Sequence, residues 1–227
     1  MRLERKEKLN MKNKKVLRMT LDAVLCALIA ILSFVPYVGF IPLGFISVTD
    51  IHVVVIIGAI LLGPKDGLLL GTWFGVCSLI KSFNGTSGDI TFNMPWVSIL
   101  PRMLFGFMAG MLNIWFKNII KNKALRIGVV ALLATIFHTD CIYVFYVPTC
   151  ASYTLGIGMG SSFSGKIGNW NVTASLWIYC AASFAFSCLF ESILAVLVCI
   201  PINRSLEAAY GDSILSQINF KKKDKTA

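Results

Sequence analysis

Apolar residues in this chain fall into six long blocks, separated by shorter polar stretches. The first follows the basic stretch MRLERKEKLNMKNKKVLRM and runs from about Thr20 to Val35, where Pro36 ends it. Five more cover about Ile51 to Leu62, Leu68 to Ile80, Ile99 to Phe116, Ile127 to Tyr146 and Ala174 to Ile200. A helix needs about 20 such residues to cross a bilayer, so the pattern predicts an all-α membrane protein, a six-transmembrane-helix bundle. The second and third blocks are short for a span. Their joining segment, Gly63-Pro64-Lys65-Asp66-Gly67, is tight, so they are expected to form a hairpin lying partly against other protein. The chain divides into a basic N-terminal segment (1–19), the membrane domain (20–203) and a basic tail (204–227). A cleaved signal peptide is rejected, because no small-x-small site is followed by a polar mature domain.

Composition agrees with the pattern. Hydrophobic residues make up 56% and charged residues 14%, with a mean hydropathy of +0.75, whereas soluble domains carry about 25% charged residues. The net charge of +10 would suggest nucleic acid if it sat on a polar domain, but no polar stretch is long enough. With the N-terminus inside, 18 of the 21 basic residues fall in cytoplasmic segments, leaving Lys81, Arg102 and Lys166 outside. The positive-inside rule therefore expects both termini in the cytoplasm of a multi-pass cell-membrane protein. The charge is mostly topology, and no nucleic-acid partner is expected. Seven cysteines without CxxC spacing read as packing residues, with Cys141 and Cys150 the one pair near enough to consider bridging.

Small residues mark where helices approach one another, because lipid supplies no hydrophobic drive for their association. Gly67, Gly71 and Gly75 form a stripe on the third block, and Gly106 and Gly110 repeat it on the fourth. On the first block Ala23, Ala27 and Ala30 make another smooth stripe, suited either to internal packing or to docking a separate membrane subunit.

Ionisable groups inside the membrane are costly and therefore informative. The candidates are Asp50, His52, Arg102, His138, Asp140 and Glu191. Asp50 and Arg102 fall at outer boundaries where snorkelling to water competes with a binding role. Glu191, counted from a helix start near Ala174, is expected in the cytoplasmic half, paired with Lys117 or Arg204. Asp50-x-His52 and His138-x-Asp140 invite a metal reading, yet residues two apart on a helix point about 200° apart, so one of each pair at most faces a common cavity. No HExxH, GxSxG or phosphate-loop motif is present, so no metal, cofactor or intrinsic ATPase is expected. Aromatics mixed with amides in the outer loops, Phe92, Asn93 and Trp96, then Asn169 and Trp170, suit either an interfacial belt or a small polar ligand. Arg102, just after Pro101 at a helix start, offers a bidentate donor to a carboxylate.

The run GFIPLGFISVTDIHVVVIIGAILLGPKDGLLLGTWFGVCSLIKSF, followed by FNMPWVSILPRMLFGFMAGM, resembles the substrate-binding S components of energy-coupling factor (ECF) vitamin transporters, and among them the pantothenate type. The resemblance covers about Leu17 to Lys117. It implies a non-enzymatic receptor that takes a vitamin from outside and works with a membrane scaffold subunit and two cytoplasmic ATPases. It also implies docking through the helix-one stripe, Ala23, Ala27 and Ala30. The loop Val38 to Thr49 takes the role of lid. The candidate binding residues are Phe45, His52, Asn93, Trp96, Arg102, His138, Tyr143 and Asn169, with Arg102 for a carboxylate and Asn93 for hydroxyls or an amide. The long outer loop Val147 to Thr173 departs from the family pattern, so riboflavin, folate or hydroxymethylpyrimidine stay open as ligands. A small intramembrane metal-dependent enzyme using His52 and His138 is the reading from another class.

Overall fold

The structure is a computed structural model that describes residues 2–35, 39–43, 46–83, 92–157, 184–185 and 188–205. The described residues are helical apart from one small hairpin. In chain order come α1 (Arg2–Phe34), β1 (Phe40–Leu43), β2 (Ile46–Thr49), α2 (Ile51–Leu62), α3 (Pro64–Ser82), α4 (Pro95–Ser98), α5 (Leu100–Ile119) and α6 (Lys123–Ile157). The last helix among the described residues, α7, covers Cys188–Ser205. Among the described residues, four stretches are long and apolar enough to cross a membrane: Lys15–Phe34, Pro95–Ile119, Lys123–Tyr146 and Cys188–Ser205.

α1 starts well before its apolar block, because the Lys, Arg, Glu, Leu and Met residues ahead of Thr20 are good helix formers in water as well as in lipid. The apolar pattern marks where the membrane part begins, not where the helix begins. α6 likewise runs on to Ile157, so the first part of the expected outer loop, residues 147–157, is helix despite Pro148. That continuation places Cys141 and Cys150 on one helix nine residues apart, about 13 Å along its axis, too far for a disulfide. Cys141 is a free thiol.

The expected α2–α3 hairpin is present and very tight. One residue, Gly63, separates the two helices, at φ 107°, a conformation that favours glycine. Its amide caps α2 by donating to the Ala59 carbonyl, and Pro64 opens α3 at a position where its missing N–H costs nothing. Apart from His52, α2 is apolar, and it is buried on nearly every side, from Ile51 to Ile60 and again at Leu62.

The glycine stripes bring α3 and α5 into backbone contact. A Cβ at Gly67 would collide with the Gly106 carbonyl, and one at Gly71 with the Arg102 carbonyl. At Gly75 it would stand 2.7 Å from the Ile99 Cα. Gly106 and Gly110 meet Gly67 and Pro64 in the same way. α1 lies outside this core. It is tied to the α2–α3 turn by Arg18, whose Nε donates to Asp66 at 2.7 Å and whose Nη2 donates to the Leu62 carbonyl at 3.3 Å. Higher up, the Trp73 indole donates to the Cys26 carbonyl at 2.9 Å.

At the opposite end, the segment expected to be a lid is the β1–β2 hairpin, paired from Phe40 with Thr49 to Leu43 with Ile46. The Asp50 amide donates to the Gly39 carbonyl at 3.1 Å and closes the hairpin's base. Gly39 packs so closely on α1 that a Cβ there would collide with the Leu32 carbonyl, which fixes the hairpin over the start of α2.

Candidate functional site

Directly beneath the hairpin, side chains from four helices meet in a buried polar cluster. His52 comes from the first turn of α2, Arg102 from the first turn of α5, His138 from the middle of α6 and Glu191 from α7. All four are buried: Arg102 is 3% exposed, His52 0%, His138 2% and Glu191 4%. Burying so many polar groups is costly unless each finds a partner.

Each group is placed by local geometry. The imidazoles of His52 and His138 stack at 5.4 Å with 14° between their planes. Phe105 packs on His138 at 4.7 Å and on His52 at 6.5 Å, and Phe74 lies 6.0 Å from His138. None of the four imidazole nitrogens reaches a hydrogen-bond partner of good geometry among the described residues. Glu191 Oε1 accepts the Thr49 backbone N–H at 3.0 Å, which joins α7 to the end of β2. A ligand atom from each of His52, His138 and Glu191 lies within 4.8 Å of the other two.

Arg102 is sandwiched between aromatic faces, with its guanidinium carbon 4.9 Å from the Phe74 centroid and 5.5 Å from that of Phe92. Its Nη1 donates to the Ser98 carbonyl at 2.7 Å, while Nε has no partner among the described residues. Phe92 is held over it because the Ser98 hydroxyl donates to the Phe92 carbonyl. Snorkelling, one of the two sequence readings for Arg102, is therefore overturned: the guanidinium turns inward to the cluster. Its charge acts on both Glu191 and His138.

Of the other candidates, Asn93 follows Phe92 in the chain and is half-buried, and its Oδ1 is buried without a partner among the described residues. Trp96 is half exposed at the rim, its indole donating to the Thr149 hydroxyl at 3.3 Å, so it links α4 to α6 without entering the cluster. Tyr143 stands edge-on to Phe184 at 5.5 Å and to Tyr146 at 6.3 Å, within an aromatic rim that continues to Phe92. Phe45 and Asn169 lie outside the described residues. Of each Asp/His pair the histidine joins the cluster, while Asp140 is exposed and Asp50 only half-buried, in keeping with at most one of each pair facing a common cavity.

Glu191 is the residue that sequence reasoning misplaced. It sits under the hairpin, not in the opposite half beside Lys117 or Arg204. Counting from Arg204 would have found it: thirteen residues are about 20 Å of helix, enough to reach the other end of the bundle. Phe74 and Phe105 gave no signal, since an aromatic in an apolar block looks like any other core residue.

By residue type, two imidazoles and a carboxylate can hold a metal ion. The adjacent guanidinium repels a second cation and attracts an anion instead. The arrangement thus suits a small polar organic molecule with an acidic group, enclosed by aromatic walls.

A family described as the ECF transporter substrate-specific component matches residues 17–203. The pantothenate transporter PanT of Leuconostoc mesenteroides subsp. mesenteroides is 30% identical over 206 residues, covering 86% of this chain and 95% of that one. Among solved structures, ThiT from Listeria monocytogenes superposes with a TM-score of 0.56 at 14% identity, over 89% of this chain and 98% of that one, a likeness of fold alone.

Proposed function

Because the chain belongs to the substrate-specific component family of ECF transporters, and so is a vitamin-binding membrane subunit and not an enzyme, we propose that its vitamin is pantothenate. Catalysis by a metal on His52 and His138, the other class the sequence left open, is thereby set aside.

The observation that carries the assignment is the buried, inward-facing Arg102 guanidinium at the mouth of a polar cluster. Pantothenate has one carboxylate, an amide and two hydroxyls, so it needs one strong anion partner and several hydrogen bonds around an otherwise apolar frame. Arg102 takes the carboxylate, with Asn93 beside it for the amide. The aromatic rim of Phe92, Tyr143 and Tyr146 covers the apolar parts, and the β1–β2 hairpin closes the site from above. The resemblance to PanT supports the same ligand.

In this reading the hairpin end faces outside and both termini face the cytoplasm, as the distribution of basic residues expects. The chain delivers its ligand only together with a membrane scaffold and two ATPases, because it carries no nucleotide-binding motif of its own. The docking surface is α1, where Ala23 and Ala27 are exposed and Ala30 is half-buried.

Mass spectrometry of small molecules released from the purified protein tests the assignment, backed by calorimetric titration with pantothenate. Release of pantothenate, or tight saturable binding of it, is expected. Release of riboflavin, folate or hydroxymethylpyrimidine, with no pantothenate binding, would sink it.

A further inference from the structure

Arg102 and Asn93 account for the acidic and amide parts of the ligand, and leave the most deeply buried part of the site without a role. There His52, His138 and Glu191 converge within 4.8 Å, with four imidazole nitrogens unpaired among the described residues. The walls around them are Phe74 and Phe105. Buried polar atoms are almost always paired in a native protein, so this set points to a ligand that completes it.

Its chemistry narrows the choice. A carboxylate is acceptor only, and each neutral imidazole offers one acceptor and one donor. The groups that satisfy such a mixed set are hydroxyls, which donate and accept at once. A divalent cation would use the same acceptors, but Arg102 acts on Glu191 and His138 from alongside and opposes it. A hydroxyl meets no such repulsion, and its hydrogen bond to a carboxylate is charge-assisted and strong.

We propose that Glu191, together with His52 and His138, reads the hydroxyl groups of the ligand whose carboxylate Arg102 holds. This inference rests on the pantothenate reading and adds to it a direction. The carboxylate end lies toward the start of α5, and the hydroxyl end lies among α2, α6 and α7. Glu191 is the specificity-determining member, being the one carboxyl group in the set. Its Oε1 also holds the Thr49 amide at 3.0 Å, so the carboxylate that reads the ligand is bonded to the hairpin that covers it.

Calorimetric titration of the full chain in detergent with three compounds tests this. They are pantothenate, an analogue with both hydroxyls replaced by hydrogen, and panthenol, in which an alcohol replaces the carboxylate. The variant is Glu191→Gln, whose side-chain carbonyl still accepts the Thr49 amide. It is expected to weaken pantothenate and panthenol by about ten- to a hundredfold relative to the parent chain, while leaving the dideoxy analogue unchanged. Equal affinity of E191Q and the parent chain for pantothenate overturns the inference. So does an equal loss for pantothenate and the dideoxy analogue, which would mark Glu191 as structural only. Stoichiometric zinc held by the parent chain and lost in E191Q overturns it in favour of chelation. A parent chain that binds no pantothenate overturns the ligand assignment beneath it as well, whereas parent binding with an indifferent E191Q overturns this inference alone.

Discussion

Arg102 is buried against two aromatic rings with one nitrogen committed to the Ser98 carbonyl at the end of α4. Removing it takes away the anion partner and opens a hole between Phe74 and Phe92. Arg102→Ala is expected to cost about 2–5 kcal/mol of binding for an acidic ligand, the range for losing one partner of a buried ion pair. Panthenol affinity should change much less, and titration of both ligands distinguishes lost charge from collapse of the site. At this scale Arg102, His52 and His138 were legible in the sequence, because a charge or an imidazole in a long apolar block demands an explanation. Glu191 demanded one too, but its depth was measured from the wrong end of its helix. Trp96, a candidate binding residue by sequence, spends its indole N–H on Thr149 at the rim. Spacing alone cannot tell which way a side chain at a helix start is turned.

Between elements, the contacts that matter most have no side chains. Where Gly71 crosses α5, a Cβ would meet the Arg102 backbone carbonyl, an atom that cannot swing aside. Gly71→Ala is expected to lower the melting temperature in detergent and to weaken ligand binding, because the shift it forces is at Arg102 itself. The overpacking cost is about 1–3 kcal/mol. Gly128→Ala is the matched control, since there the nearest atom is the flexible Ile200 Cδ1 at 3.3 Å and a near-parental melting temperature is expected. On α1, Ala23 and Ala27 are exposed beside Val24 and Leu28, which leaves a shallow face that a large side chain would fill. Ala27→Trp is expected to abolish co-purification with the scaffold and ATPase subunits while ligand binding stays at parental strength; unchanged assembly would refute docking through this face. The helix pairs and their glycine seams were readable from periodicity. The β hairpin was not, because its few residues mix Gly, Pro and apolar positions in a way equally suited to a loop. Nor was the extension of α6 past Pro148, where neighbouring turns carry the helix through a missing amide.

Taken as a whole, the molecule has one end rich in basic residues and one end that holds the site, with the closely packed α3–α5 pair joining them. Tags at both ends of the chain are expected to stay protected from protease in intact cells and to be cut once the cells are opened. A tag cleaved from outside would reverse the assigned direction of capture. The asymmetry also separates two kinds of helix. α1 touches the core along one narrow side and leaves most of its surface to its surroundings, whereas α2 is enclosed by α1, α3, α5 and α6. At about 1.5 Å per residue its twelve residues rise only about 18 Å, too little to reach across the hydrocarbon. Saturation mutagenesis scored by ligand binding should therefore show a stripe of tolerated and forbidden positions along α1, repeating every three or four residues, and an unbroken block of intolerance along α2. The family's freedom to drift would be lowest in that short inner rod, where every side chain but Leu61 is shut away from lipid.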